Sequence, residues 1–451
     1  MVGGVPGDEV DLLIDFNKLD GGRIDGIVLG GDAARQAASI AFNAQTHCQI
    51  ASADGFRTIQ ANRVLVNRIG GAEPGVVAQF FCGGVSETIH REGPEGRGIS
   101  FALAGPLGVL QPREQPTSSW TGDRTVKCHD TRLDLGGAWD GDVELRNHYE
   151  WEAIPDATDQ GRYAPVPSLT FRVEKTADEL PDATFVADAK EMAEDTTLLL
   201  SVAARRWVIW YCYTFWTPSA VTHFRGHRSR HGRVDDHRID DSPVGLKARE
   251  FLKTCLPRFR ERRIAGEDLR LPIAYWVPKS DSRYVEERFA AAFWALEKLI
   301  DLFANRNGKD HILGSSAFGR VQSAIRKTLD ETSLPSDNPW GDRAASLEML
   351  KGKVPELNRP SIATQLQSMC DRLDVTWRDL YPPSLELERP RFIQTRNEIF
   401  HSSAPVNGPF VLRETFRVSA LFERLILRTL GWADLDATGP GNREIPITME
   451  L

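Results

Sequence analysis

The sequence predicts an α+β chain, with a β-rich N-terminal domain ahead of an all-α helical bundle. Three observations carry that expectation. Up to about residue 173, short extended runs alternate with Gly, Pro and Asp breaks, the pattern of antiparallel strands joined by turns. From Phe289 onward, apolar residues recur at intervals of three and four, the period of a helix that buries one face. A chain of 451 residues with 41% hydrophobic and 26% charged side chains also holds material for two or three ordinary globular cores.

The extended runs are Asp11–Phe16, Arg23–Leu29, Arg63–Asn67, Val76–Phe81, Ile99–Ala104, Val143–Ala153 and Ser168–Val173. Nothing in their spacing orders them in a sheet. An Ala-rich stretch, Ala183–Ala204, then predicts a helix. Behind it, Arg206–Tyr213 is rich in aromatic and β-branched residues and predicts a buried strand; a platform for stacking bases is the other use of such a cluster. The most basic stretch, His223–Arg233, contains Gly226 and Gly232, precedes Asp235, Asp236, Asp240 and Asp241, and reads as a solvated loop. Its Arg228 and Arg230 are candidates for RNA-backbone contact. His223, His227 and His231, four apart, would form a metal-binding face only on a helix. A helix from Gly245 to about Ile264 and a short strand or connector at Leu271–Val277 follow.

The bundle begins with Phe289, Phe293, Leu296, Ile300 and Phe303, after an N-cap at Asp281 or Ser282. Phe318, Val321, Ile325 and Leu329 repeat the pattern, as do Ile362, Leu366, Met369 and Leu373. The last helix carries Val418, Leu421, Phe422, Leu425 and Leu430 and stops at Gly431. Polar loops at Asn305–Asp310 and Ser333–Asn338 separate the early helices. The expected organisation is a β-rich domain over 1–245, a connecting helix and linker over 246–279, a helical domain over 280–435 and a loose tail over 436–451.

Several function classes find no support. A net charge of −8 argues against coating nucleic acid by bulk attraction, so any RNA contact must be a local basic patch. Six widely spaced cysteines without a CxxC pair fit a reduced, cytoplasmic setting. The N-terminus shows no signal-peptide pattern, and no uncharged apolar run approaches the ~20 residues of a membrane span. Phosphate-loop, dinucleotide, HExxH and Gly-x-Ser-x-Gly patterns are missing. No metal and no cofactor are expected.

The informative stretch is Glu388–His401. On a helical wheel, Phe392, Ile393, Ile399 and Phe400 make one apolar stripe with Arg396 at its centre. A guanidinium there must be paired or face a polar cleft. Asn397 and His401, four apart, share a face, whereas Arg396 points about 140° away from His401. One helix therefore aims the two at different places, and two copies related by a two-fold axis can bring them together. A structural reading stays open beside this one: Arg396 bridging to Glu297 or Glu398, and His401 placed as a cation near a helix C-terminus.

Arg396-Asn397, three residues and then His401 resemble the Arg-x4–6-His signature of the HEPN superfamily of ribonucleases. Residues 280–435 resemble the HEPN domain of ApeA-like anti-phage proteins, also in Ala295–Leu299 and Leu425–Trp432. The resemblance implies a metal-independent endoribonuclease of an abortive-infection system, with Arg396, Asn397 and His401 catalytic in a dimer. Such an enzyme lets the RNA 2′-hydroxyl attack the adjacent phosphorus. It supplies a base, an acid and positive charge on the phosphate. An imidazole, titrating ordinarily near ~6.5, serves as base or acid, and a guanidinium forks onto two phosphate oxygens. Arg389 and Arg391 are placed to guide RNA toward the cleft. The expected partners are an RNA substrate, a second copy in a homodimer or higher homo-oligomer, and a phage-derived trigger. The alternative is a non-catalytic HEPN-like dimerisation module that binds RNA or a nucleotide.

Overall fold

The computed structural model describes residues 11–15, 24–29, 46–51, 56–69, 76–82, 84–90, 96–104, 131–133, 141–153, 161–173, 182–226, 248–277, 284–332, 343–401 and 407–433. The chain divides into two compact units, Met1–Arg260 and Glu261–Leu451. The architecture is α+β, an antiparallel sheet followed by helices.

Twelve strands are present among the described residues: β1 (Asp11–Asp15), β2 (Ile24–Leu29), β3 (Thr46–Ala51), β4 (Arg57–Ile69), β5 (Val76–Cys82), β6 (Gly84–His90), β7 (Arg97–Ala104), β8 (Thr131–Leu133), β9 (Asp142–Ala153), β10 (Gly161–Val173), β11 (Ile209–Thr217) and β12 (Ala220–Gly226). Helix α1 (Asp182–Ala204) lies between β10 and β11 in the chain. All seven runs read as extended are strands, and Arg206–Tyr213 leads into β11. β3, β6, β8 and β12 were not foreseen.

Each pairing is antiparallel. β5 and β6 act as one long partner of β4, because Leu65 opposite Phe81 and Asn62 opposite Gly84 keep the same register. Beyond β6 the order is β12, β11, β7, β10, β9 and β8.

β7 lies between β11 and β10, and Ile99, Phe101 and Leu103 are fully buried there. Phe101 meets the rings of Phe171, Trp210 and Tyr213 at 5.4–5.9 Å. The aromatic cluster is therefore core, with Trp210, Tyr211 and Tyr213 all buried, and the stacking-platform reading falls. Helix α1 packs on this layer: Phe185 meets Phe215 at 5.9 Å, and the Lys190 ammonium sits 4.6 Å over the Tyr213 ring. Gly98 admits no side chain, since a Cβ there would lie 2.2 Å from the Trp216 ring.

The basic stretch departs from expectation at its start. His223, Phe224, Arg225 and Gly226 belong to β12, paired to β11 across a two-residue turn at Pro218-Ser219, and His223 Nδ1 lies 3.0 Å from the Thr214 hydroxyl. A strand separates side chains by a period of two, so the helical His face does not form there. His227, Arg228, Arg230 and His231 lie outside the described residues.

Helix α2 (Ala248–Ile264) corresponds to the predicted helix and crosses the unit division. In the first unit its Arg260 reaches the buried Asp195 of α1 at 3.8 Å. The second unit continues with α3 (Arg270–Trp276), α4 (Val285–Arg306), α5 (Ser315–Glu331), α6 (Arg343–Lys353), a 3-10 turn at Val354–Asn358, α7 (Ile362–Leu373), a short turn at Arg378–Leu380, α8 (Arg391–His401) and α9 (Gly408–Thr429). Leu271–Val277, expected as a strand or connector, is helical instead. Ile273 and Trp276, one turn apart, are both buried, and Trp276 stacks on Phe422 at 5.4 Å.

α4 and α9 pack along each other at the centre of this unit. Phe289, Phe293, Leu296 and Ile300 of α4 and Val418, Leu421, Phe422 and Leu425 of α9 are buried, as the periodic stripes require. Gly431 ends α9 at φ 78°, with its amide on Arg428 O and the Trp432 amide on Leu427 O, a helix stop that needs a left-handed residue. α7 is capped by Ser361, whose side chain accepts from the Thr364 amide. α5 carries the expected apolar stripe but buries none of its residues fully. No helix among the described residues is long and apolar enough to cross a membrane.

Candidate functional site

α8 follows Pro390 and buries one edge of its apolar stripe. Phe392 and Ile393 are buried, with Phe392 edge-on to Phe293 of α4 at 6.4 Å. Thr395 is buried too, its hydroxyl donating to Arg391 O. These contacts fix the rotation of the helix. Ile399 is half-buried and Phe400 is 38% exposed, so the stripe opens toward solvent at its C-terminal end.

Arg396 sits where the stripe opens. Its side chain keeps about a third of its exposure, with the guanidinium 6.0 Å from the Phe293 ring centre and 5.7 Å from that of Phe400. Nη1 donates to Asn397 Oδ1 at 3.1 Å, and Nη2 lies 4.0 Å from Glu297 Oε1. Of the two carboxylates weighed as partners, Glu297 is the neighbour. Glu398 accepts from Gln394 Nε2 instead. A pair this open to water, at the outer limit of ion-pair distance, contributes at most about 1 kcal/mol.

A cavity of about 320 Å³ lies against this side chain. Arg389, Arg396 and Asn397 line it together with Glu297 of α4, the α7 cap Ser361 and the first residue of α7, Ile362. The structure thus brings together Arg389, Arg396 and Asn397 of the residues singled out in the sequence. Arg391 begins α8 but belongs to neither this cavity nor the larger one next to it. His401 is the last residue of α8, and its side chain lies outside the described part of the structure, as do Arg228 and Arg230.

Sequence reasoning missed two features here. One is the row of half-exposed rings beside Arg396: Trp294 of α4 lies parallel to Phe400 at 5.9 Å, and Tyr275 of α3 lies 6.3 Å from Trp294. Trp294 sits on the flank of the α4 stripe, which is the signal that was available. The other is the first turn of α7, which Ser361 caps and which lines this cavity together with α8.

Unlike Arg396, Arg417 of α9 is enclosed. Its guanidinium pairs with Glu414 and donates through Nε to Leu380 O at 2.9 Å, while Tyr381 Oη donates to the other Glu414 oxygen at 2.8 Å. Burial, with the Glu414 charge beside it, pushes the Tyr381 phenol well above its ordinary value. Cys255 and Cys370 are free thiols that burial raises to about 12. Among the described residues, no group of three metal-ligating side chains comes together.

No family model, no curated protein and no solved structure matches this chain.

Proposed function

We propose that this chain is a metal-independent endoribonuclease of HEPN type, acting as a homodimer in the cytoplasm in an abortive-infection response to phage. One observation carries the reading: Arg389, Arg396 and Asn397 and the N-terminal end of α7 face a single cavity of about 320 Å³. Two guanidiniums and the positive end of a helix dipole, against the one carboxylate of Glu297, make a place for an anion, and a phosphodiester fits that chemistry. The resemblance of Arg396, Asn397 and His401 to the HEPN signature supplies the rest.

In this mechanism the 2′-oxygen attacks phosphorus, the bond from phosphorus to the 5′-oxygen breaks, and the products are a 2′,3′-cyclic phosphate and a 5′-hydroxyl. His401 of one protomer takes the 2′-hydroxyl proton and the partner's His401 protonates the departing oxygen. Arg396 holds the non-bridging oxygens, exchanging its loose contact with Glu297 for phosphate. Arg389 lies on the approach. The second copy is required because residues five apart on a helix, as Arg396 and His401 are, are expected to point about 140° apart. The half-exposed Tyr275, Trp294 and Phe400, next to Arg396, give that copy an aromatic surface of the kind found at interfaces. The β-rich unit receives the phage-derived trigger.

A second reading, a non-catalytic module that binds RNA or a nucleotide, draws on the engagement of Arg396 by Asn397 and Glu297 within one chain. The test treats the protein with a chelator, adds extract of infected cells, and offers an RNA oligonucleotide and its all-deoxy copy. The nuclease reading expects cyclic-phosphate and 5′-hydroxyl products from RNA alone, and none from Arg396→Ala or His401→Ala. Cleavage of the deoxy copy, or unchanged cleavage by both variants, overturns it.

A further inference from the structure

Beside the cavity that Arg396 lines, and sharing Ala363 and Arg389 with it, lies a groove of about 840 Å³. This falls within the ~300–1,000 Å³ of small-molecule sites. Three segments distant in sequence supply its charge: Lys309 just after α4, Arg372 on α7, and Arg389 ahead of α8. All three are exposed, and among the described residues none is paired with a carboxylate. Asp371 and Glu388 share the groove, so cations outnumber anions three to two.

One of those anions is held in position. The buried Trp377 donates its indole N–H to Gln367 Oε1 at 3.1 Å, and Gln367 Nε2 donates to Asp371 Oδ1 at 2.7 Å. The Gln367 amide is thereby oriented at both ends, and the second Asp371 oxygen is left to accept from a ligand. Cations for phosphates next to a fixed acceptor for N–H groups are the two demands of a nucleotide with a donor-bearing base edge.

We infer that this groove is a nucleotide subsite of the RNA strand adjoining the cut. Lys309, Arg372 and Arg389 hold its phosphates, and Asp371 accepts from the amino edge of its base. The inference rests on the nuclease reading for the word "cut" and on the groove alone for binding. Guanine, which offers two N–H donors side by side, is the base this acceptor selects over uracil.

The test is fluorescence anisotropy of the full chain with short labelled RNAs carrying 2′-O-methyl groups, which bind but are not cut. Lys309→Gln with Arg372→Gln is expected to weaken binding by about tenfold and to flatten the salt dependence by about 0.7 for each phosphate left without its cation. Arg326→Gln, on exposed α5, serves as the control and leaves both unchanged. Asp371→Asn is expected to erase a preference for oligo-G over oligo-U. Unchanged circular dichroism shows that each variant is folded. Wild-type binding that survives the double substitution overturns the inference, and so does tight binding of ATP with none of the oligonucleotide, which would assign the groove to a free nucleotide. Cleavage of unmodified RNA is read separately. A chain that binds through the groove but never cuts refutes the nuclease reading and keeps the subsite, whereas one that cuts equally well with and without the groove cations loses the subsite alone.

Discussion

Two of the arginine–glutamate pairs described in the helical unit are built for different ends. Arg417 and Glu414 on α9 are both buried, and the Leu380 carbonyl and the Tyr381 hydroxyl complete their hydrogen bonding. Arg396 and Glu297 stand 4.0 Å apart, each about a third exposed, against a cavity. The first pair is locked because breaking it would strand a charge without water. The second can exchange partners at small cost, since solvent or a phosphate replaces what is given up. Residue type alone therefore does not separate the two arginines; exposure and the neighbouring cavity do.

The largest effect expected from this contrast is on stability. Glu414→Ala strands Arg417 and should cost about 3–5 kcal/mol, seen as a lower urea midpoint with an unchanged slope. Arg396→Ala should cost less than about 1 kcal/mol in the same assay. Comparable losses at the two positions would erase the distinction.

Tyr381→Phe removes one donor to the buried Glu414 carboxylate and should cost about 1–3 kcal/mol. Its pH dependence has a fixed sign. The folded phenol titrates above its unfolded value of 10.0, so its contribution is complete below pH 10 and falls as pH rises beyond it. The wild type should therefore lose more stability than Tyr381→Phe when unfolding is compared on either side of pH 10.

A smaller effect bears on the exchangeable pair. Glu297→Gln takes one negative charge from the cavity and should tighten binding of the 2′-O-methyl RNA about threefold at low salt, an effect that fades as salt rises. Weaker binding would mean that Glu297 orients Arg396 rather than competing for it. The smallest expected signal is chemical: with pKa values of about 12, the Cys255 and Cys370 thiols should resist alkylation at pH 8 in the folded protein and react after denaturation.

Much of this was legible in the sequence. Turn residues bounded seven strands, the three-and-four spacing gave the main helices, and Gly431 marked the end of α9. The α5 stripe was legible as a helix but not as an exposed one, because periodicity reports amphipathicity and not what covers the apolar face. α3 escaped because a seven-residue helix shows only two periodic positions, Ile273 and Trp276. β12 escaped because His223, Phe224 and Arg225 look like a basic loop until the Pro218-Ser219 turn pairs them with β11. At the candidate site, the oddity of Arg396 among apolar neighbours was visible from spacing alone. The groove beside it was not, since Lys309, Arg372 and Arg389 meet only once α4, α7 and the lead-in to α8 have packed.

The most direct test of the central claim is a count of new 5′-hydroxyl RNA ends in phage-infected cells producing the wild-type chain, Arg396→Ala or His401→Ala at equal folded levels. The account predicts abundant new ends and protection with the wild type, and neither with the two variants. New ends and protection undiminished in both variants would contradict it and make the α8 motif structural.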